Sequence, residues 1–262
     1  MTMHKPKILL IGAILLSTTV STQAEENKLG VTFDLAYMSK WMTKGKEGYS
    51  ENGAFFQIID LDFWNTGLGV SVRHINPANA GFYTGDDVKD KQRLDYSVSY
   101  KSSLFDDQVY KTKHKLSWTY KNYYDQARNE GNVQAWKLKL SWPGLLGKGI
   151  QPYYIAHYEY PAGSNYHKTP HWAGWVHRFG MEVDLDLAQL PKPLCLSSEV
   201  AYTDGLRAAD HDWSYATFGV STKVKMTDNV VFIPELFHQI SMDDSVCERD
   251  VTYCKLSMKW KF

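Results

Sequence analysis

Residues 253–262 alternate between two chemistries with a period of two. Leu256, Met258, Trp260 and Phe262 fall on one side of an extended strand, and Lys255, Ser257, Lys259 and Lys261 fall on the other, because successive strand side chains point to opposite faces. One face suits hydrocarbon and the other suits water. The same alternation recurs from residue 29 onward, about every 15 to 25 residues, with turn residues between the repeats. A chain patterned in this way is restricted to an all-β fold whose every strand is half apolar.

Twelve segments carry the pattern. They run over residues 31–38, 54–63, 68–74, 93–101, a fifth centred on 115–121, 133–142, 150–160, 171–185, 194–202, 215–225, 230–240 and 251–262. Connections after odd segments are longer than those after even ones, which predicts an antiparallel barrel with long loops at one end, short turns at the other, and both termini at the short-turn end. The turn Asn65-Thr66-Gly67 is a hairpin end, since Asn and Gly tolerate positive φ. Two segments leave their facing open. The seventh is aromatic on both sides, and in the eleventh Val231, Ile233 and Phe237 contest the apolar face with Val230, Phe232 and Leu236.

The N-terminal residues add a compartment. A basic stretch (His4, Lys5, Lys7), an apolar run over 8–16 and small polar residues up to Ala24 have the order of a secretory signal peptide, with cleavage expected after Ala24. Residues 1–24 are therefore read as a signal peptide and 25–262 as one barrel domain. The run is too short to span a bilayer as a helix, and no later segment offers the roughly 20 apolar residues needed, so any membrane crossing falls to strands. Frequent Trp, Tyr and Phe near segment ends suit membrane interfaces. A soluble β-sandwich would show the same alternation, but not this combination of signal peptide, loop rhythm and interfacial aromatics. Equal numbers of acidic and basic residues, 29 of each, argue against a nucleic-acid partner. The three cysteines are too few for a disulfide-built scaffold; Cys247 and Cys254 could bridge, or all three could be unpaired thiols.

If the apolar faces meet lipid, the alternate residues line a lumen. Lys111, Lys113, Lys115, Lys121, Lys137, Lys139, Lys223, Lys225, Lys255, Lys259 and Lys261 then point inward with Arg73, Arg93 and Arg178, against Asp34, Asp60, Asp62, Asp95, Glu182, Asp184 and Glu199. The outer loops collect Asp86, Asp87, Glu130, Asp210, Asp212, Asp243, Asp244 and Glu248. A basic lumen favours anions, as rings of Lys or Arg do in pores. The pore-lining set put forward is Lys111, Lys113, Lys115, Lys137, Lys139, Arg178, Lys255 and Lys259, and the membrane-facing set of the last strand is Leu256, Met258, Trp260 and Phe262. The same lysines could instead pair with acids across a narrow barrel and plug it.

Chemistry-bearing motifs are sparse. A twelve-stranded lipid hydrolase would place a His and a Ser two residues apart on one strand, and no His-x-Ser occurs. His157, Glu159, His167, His171 and His177 cluster around one loop without the spacing of a zinc site. No catalytic residue, metal or cofactor is assigned. Tyr153, Tyr154, Tyr158, Tyr160 and Tyr166 could stack on sugar rings, though an aromatic girdle explains them better.

The stretches Tyr37-Met38-Ser39-Lys40-Trp41, Asp62-Phe63-Trp64-Asn65-Thr66-Gly67, Leu94 to Tyr100 and Leu140-Ser141-Trp142-Pro143 resemble a family of uncharacterised, porin-like outer-membrane β-barrels of Gram-negative bacteria, and the aromatic C-terminal residue resembles the strand end read by the barrel-assembly machinery. The resemblance implies a transmembrane antiparallel β-barrel in contact with outer-membrane lipids and no settled function; the strand pattern adds about twelve strands with periplasmic termini, and the lumen charges add small solutes as partners. The expected function is a channel for passive diffusion of small, anionic solutes. The alternative is a closed structural or surface-interaction barrel, and behind both stands a membrane-embedded lipid hydrolase.

Overall fold

A computed structural model describes residues 29–49, 52–78, 92–124, 131–162, 172–186 and 193–262. Residues 1–24, read from the sequence as a signal peptide, and Asp86, Asp87, Glu130, Tyr166, His167 and His171 lie outside the described residues.

Twelve antiparallel strands close on themselves. They are β1 (Gly30–Met38), β2 (Ala54–Asp62), β3 (Leu68–Pro77), β4 (Arg93–Leu104), β5 (Thr112–Asn122), β6 (Val133–Ser141), β7 (Ile150–Pro161), β8 (Gly174–Leu185), β9 (Leu194–Asp204), β10 (His211–Thr222), β11 (Val230–Ser241) and β12 (Val251–Lys261). Each pairs with its sequence neighbours, and β12 pairs with β1, so that Leu35 sits opposite Met258 and Phe33 opposite Trp260. The Phe262 amide donates to the Val31 carbonyl at 3.0 Å and extends that seam. Closure leaves no barrel strand with an unpaired edge, which is what a sheet needs in lipid, where water cannot satisfy a free N–H or C=O.

Alternation decides facing. Leu35, Ile59, Val98, Leu116, Leu236 and Leu256 are exposed on the outside, while Ala36, Ser117 and Ser257, one residue away in each case, are buried inside. Apolar groups exposed in such number and in such a band belong to a surface whose solvent is not water. The two strands left open by sequence now have a facing. On β7, Tyr154 and Tyr158 lie outside against the rings of Phe179 and Trp175, and Tyr153, Ile155 and Glu159 are buried inside. On β11, Leu236 and Ile240 are exposed outside, whereas Phe237 stacks on Tyr253 inside and Gln239 is buried there.

Strand bounds differ from expectation where local geometry breaks the period. Strand β10 begins at His211 rather than 215, because the ladder shifts register at Ala201/Tyr202. Ser214 fills the extra position, donating to the Ala201 carbonyl at 3.1 Å and accepting from Thr203 Oγ1 at 2.9 Å. This bulge puts Trp213 outside and Tyr215 inside. The β9–β10 connection therefore shrinks to residues 205–210, the shortest at the long-loop end. Strand β8 begins at Gly174 rather than 171. The start of β1, the end of β12, the turns 63–67, 105–111, 142–149 and 223–229, and the facing ends of β8 and β9 share the opposite end. The cysteines are free: Cys247 lies in the last loop and Cys254 on β12, with no bridge between them.

Candidate functional site

Two loops fold over the long-loop end of the lumen. The first joins β1 to β2 and contains a small hairpin, Met42–Thr43 paired with Lys46–Glu47. Its tip needs left-handed backbone at Lys44 (φ 52°) and Gly45 (φ 81°). A Cβ on Gly45 would collide with the Tyr215 ring and Val246, so glycine lets the tip cross the mouth. The Gly45 carbonyl there accepts from Gln239 Nε2 at 2.8 Å. Behind the tip, the Trp41 and Tyr49 rings pack tilted at 42° with centroids 4.3 Å apart and join Ala36, Ala54, Phe56 and Ile75 in a small core.

The second loop is the short β9–β10 connection. Gly205, Arg207 and Ala208 all take left-handed φ, between 58° and 69°. Gly174 on β8 has no Cβ to block it, and Leu206 packs directly there. Leu206, Ala209, Val246, Val176, Ala201 and Tyr215 form a second core. Left-handed non-glycine residues cost energy and persist only where surroundings hold them. Here they aim one side chain, Arg207, into the barrel.

Both loops converge on Glu159. This carboxylate is 1 % exposed, near the end of β7. Lys44 and Lys121 each donate to its Oε2, and Arg207 donates to Oε1 at 2.7 Å. His157 Nε2 lies 3.6 Å from the same Oε2. Arg207 also lies over the Trp172 ring at 5.9 Å. Three cations thus share one anion at the long-loop end of the lumen. Beside them Arg93 makes a two-point ion pair with Asp95, Nε to Oδ1 at 2.7 Å and Nη2 to Oδ2 at 2.9 Å, and covers the Trp41 ring at 5.0 Å.

Deeper in, basic residues gather on one side of the wall. Lys115 on β5 stands directly opposite Lys101 on β4 and Lys139 on β6. Ile155 separates Lys139 from Arg178 in the same row, and Lys137 lies one step nearer the mouth, opposite Ser117 and His157. Carboxylates answer some of these: Asp62 bonds Lys101, Glu182 lies 3.7 Å from Lys139 and Glu199 lies 3.4 Å from Arg178. Tyr153 donates to Glu199 at 2.9 Å, and its ring carries Lys139 at 4.7 Å. Among the described residues Arg73, Lys115 and Lys137 have no carboxylate within ion-pair reach.

Of the pore-lining set read from the sequence, Lys115, Lys137, Lys139 and Arg178 come together in this belt, with Lys113 at its short-turn end. Lys255 and Lys259 are on β12, neutralised by Glu235 at 2.7 Å and Asp34 at 3.3 Å. Lys111 lies in the β4–β5 turn, paired with Asp106 at 2.8 Å, and Lys225 pairs with Asp228 across the β10–β11 turn. Leu256, Met258 and Trp260 lie on the outer face and Phe262 follows the strand end. The sequence reading missed Lys44 and Arg207, which sit in loops without strand periodicity. It weighed Glu159 only as a companion of histidines. That grouping comes apart on alternation: His157 and Glu159 face inward, whereas His177 faces outward, bonded to the Tyr154 hydroxyl at 2.7 Å. On the outer face His238 Nδ1 meets Thr252 Oγ1 at 2.9 Å, with no carboxylate bonded to the pair among the described residues.

No family model matches the sequence, and no curated protein matches it. Solved structures do resemble the fold. An outer membrane channel from Pseudomonas putida F1 superposes over 94 % of this chain and 100 % of its own, with a TM-score of 0.50 and 10 % identity. A NanC porin covers 90 % of this chain and 100 % of its own at a TM-score of 0.49 and 13 % identity, and LpxR from Salmonella typhimurium covers 89 % and 100 % at 0.46 and 10 %. At such identities only the fold is shared. By that fold, the chain is a closed, twelve-stranded antiparallel barrel of the outer-membrane kind.

Proposed function

We propose that the mature chain, residues 25–262, is a Gram-negative outer-membrane channel for passive diffusion of small, anionic solutes, exported by a signal peptide over residues 1–24. In this reading the short turns and both termini face the periplasm, and the assembly machinery recognises β12. The single observation that carries the solute preference is the imbalance of lumen charge. Glu159 answers three cations, and Arg73, Lys115 and Lys137 stand without a carboxylate in reach among the described residues. Positive walls of low dielectric raise the local concentration of anions and lower the barrier to their passage. The buried Glu159 is held by three cations rather than set as a base beside a nucleophile, which supports a conduit over a lipid hydrolase.

One observation favours a closed barrel that serves structure or surface interaction. The β1–β2 loop is tied across the mouth to β7 and β11, and the residues of both loop cores are buried. Conductance separates the two readings. The refolded chain in a planar bilayer is expected to give discrete steps whose reversal potential in a salt gradient favours the anion. A folded but silent barrel would leave the closed reading in place.

A further inference from the structure

We propose that the mid-lumen cations around Lys137 form a discrete binding site for multivalent oxyanions, solutes bearing phosphate, sulfate or paired carboxylates. The inference rests on the channel reading only in that the lumen must admit the ligand.

The argument begins with register. Directly opposite residues in an antiparallel pair hold their Cβ atoms about 5 Å apart, and like charges so placed destabilise the sheet. This barrel places Lys101, Lys115 and Lys139 in one such row over β4, β5 and β6. Lys137 adds a fourth ammonium beside it. Arg178 on β8 continues the same row beyond Ile155, and Arg73 on β3 faces the lumen opposite Asp95 of β4. Cations from five strands, β3, β4, β5, β6 and β8, therefore face one region of the lumen.

Asp60 on β2 and Asp184 on β8 make no ion pair among the described residues, but β3 to β6 themselves carry no free carboxylate. Asp62, Glu182 and Glu199 are each committed to Lys101, Lys139 and Arg178. Asp95, the residue opposite Arg73, is held in two-point contact by Arg93. On the far side, Lys255 and Lys259 have their own acids. Three positive charges are left on the β3–β6 side. Each lysine offers several donors and the guanidinium a planar fork, so the matching partner is an oxyanion with more than one negative charge. A monovalent ion answers one of the three cations, and a divalent or trivalent one answers the group. The belt lies below the mouth formed by Lys44, Arg207 and Glu159, so a solute entering from the long-loop end meets cations first at the mouth and then at the belt.

The test uses the full mature barrel refolded in detergent and titrated with inorganic pyrophosphate by calorimetry, with chloride as the monovalent control. A saturable isotherm is expected. Lys137→Gln and Lys115→Gln should each weaken it about tenfold, the scale of one hydrogen bond to a charged group. Lys225→Gln, which alters a turn lysine outside the belt, should leave it unchanged. Both belt variants remove a like-charge contact, so folding is not at risk, and heat-dependent gel mobility verifies it. A folded barrel with no saturable isotherm overturns the site. So does equal weakening by Lys225→Gln, which would mean a diffuse counterion cloud. Conductance is read separately: an anion-selective channel without pyrophosphate binding sinks the site and spares the channel, and binding by a silent barrel does the reverse.

Discussion

Glu159 is the residue on which the mouth depends. It is a buried anion whose removal leaves Lys44 and Lys121 buried without a counter-charge, since both bond its Oε2 and both side chains are largely buried. Breaking one side of a buried ion pair is far more costly than replacing the whole pair with apolar groups, because a desolvated charge is left alone. Glu159→Gln keeps the shape and removes the charge. It should lower unfolding stability by about 3 kcal/mol, read as a shift of the denaturant midpoint of the refolded barrel. Removing the exposed turn pair by Lys225→Gln should cost almost nothing. A neutral outcome for Glu159→Gln would show that water already screens the mouth.

At the scale of elements, strands and loops obey different rules, and this is why one was legible and the other was not. A strand between lipid and a wet lumen must alternate, so the positions of Leu256, Met258 and Trp260, or of Lys115 and Lys137, follow from period two alone. Strand β7 was opaque because Tyr153, Tyr154, Tyr158 and Tyr160 are amphipathic and suit either face; only pairing with Trp175 and Phe179 settles it. Loop residues such as Lys44 and Arg207 carry no period. Their inward placement comes from left-handed backbone and from small residues at contact points, Gly45 and Gly174, whose partners lie far away in sequence. The docked loop has a pH signature. Burial, and then the Lys121 ammonium, hold the Lys44 ammonium well below the ordinary lysine value, with Glu159 pulling the other way. The docked loop therefore binds this proton more weakly than a free loop, so docking gains stability as pH rises between the lowered and the ordinary value. Over the same window the mouth loses a positive charge, and anion preference in a reversal-potential series should fall. Lys44→Gln should flatten that step. An identical titration in the variant would place the step on another group.

For the molecule as a whole, the barrel is a wall with two solvents, and adjacent residues on one strand should answer a charge change in opposite ways. On β6, Lys137 faces the crowded basic belt, and Leu138 faces outward between Leu116 of β5 and Ala156 of β7. Bringing a lysine to the lipid face near the middle of a strand costs about 2–4 kcal/mol at the bilayer midplane and less toward the interfaces. Taking one from the belt removes like-charge repulsion. In lipid vesicles, Leu138→Lys should destabilise the barrel by an amount in that range, and Lys137→Gln should leave it as stable or raise its stability. The vesicle environment is essential to the contrast, since in water both positions would tolerate a lysine. A Leu138→Lys barrel as stable as the parent in vesicles would mean that this face does not meet hydrocarbon, and with it would go the membrane reading of the whole outer surface. The two substitutions are one residue apart on the same backbone, so local strand propensity is shared and the difference between them reports the solvent on either side of the wall.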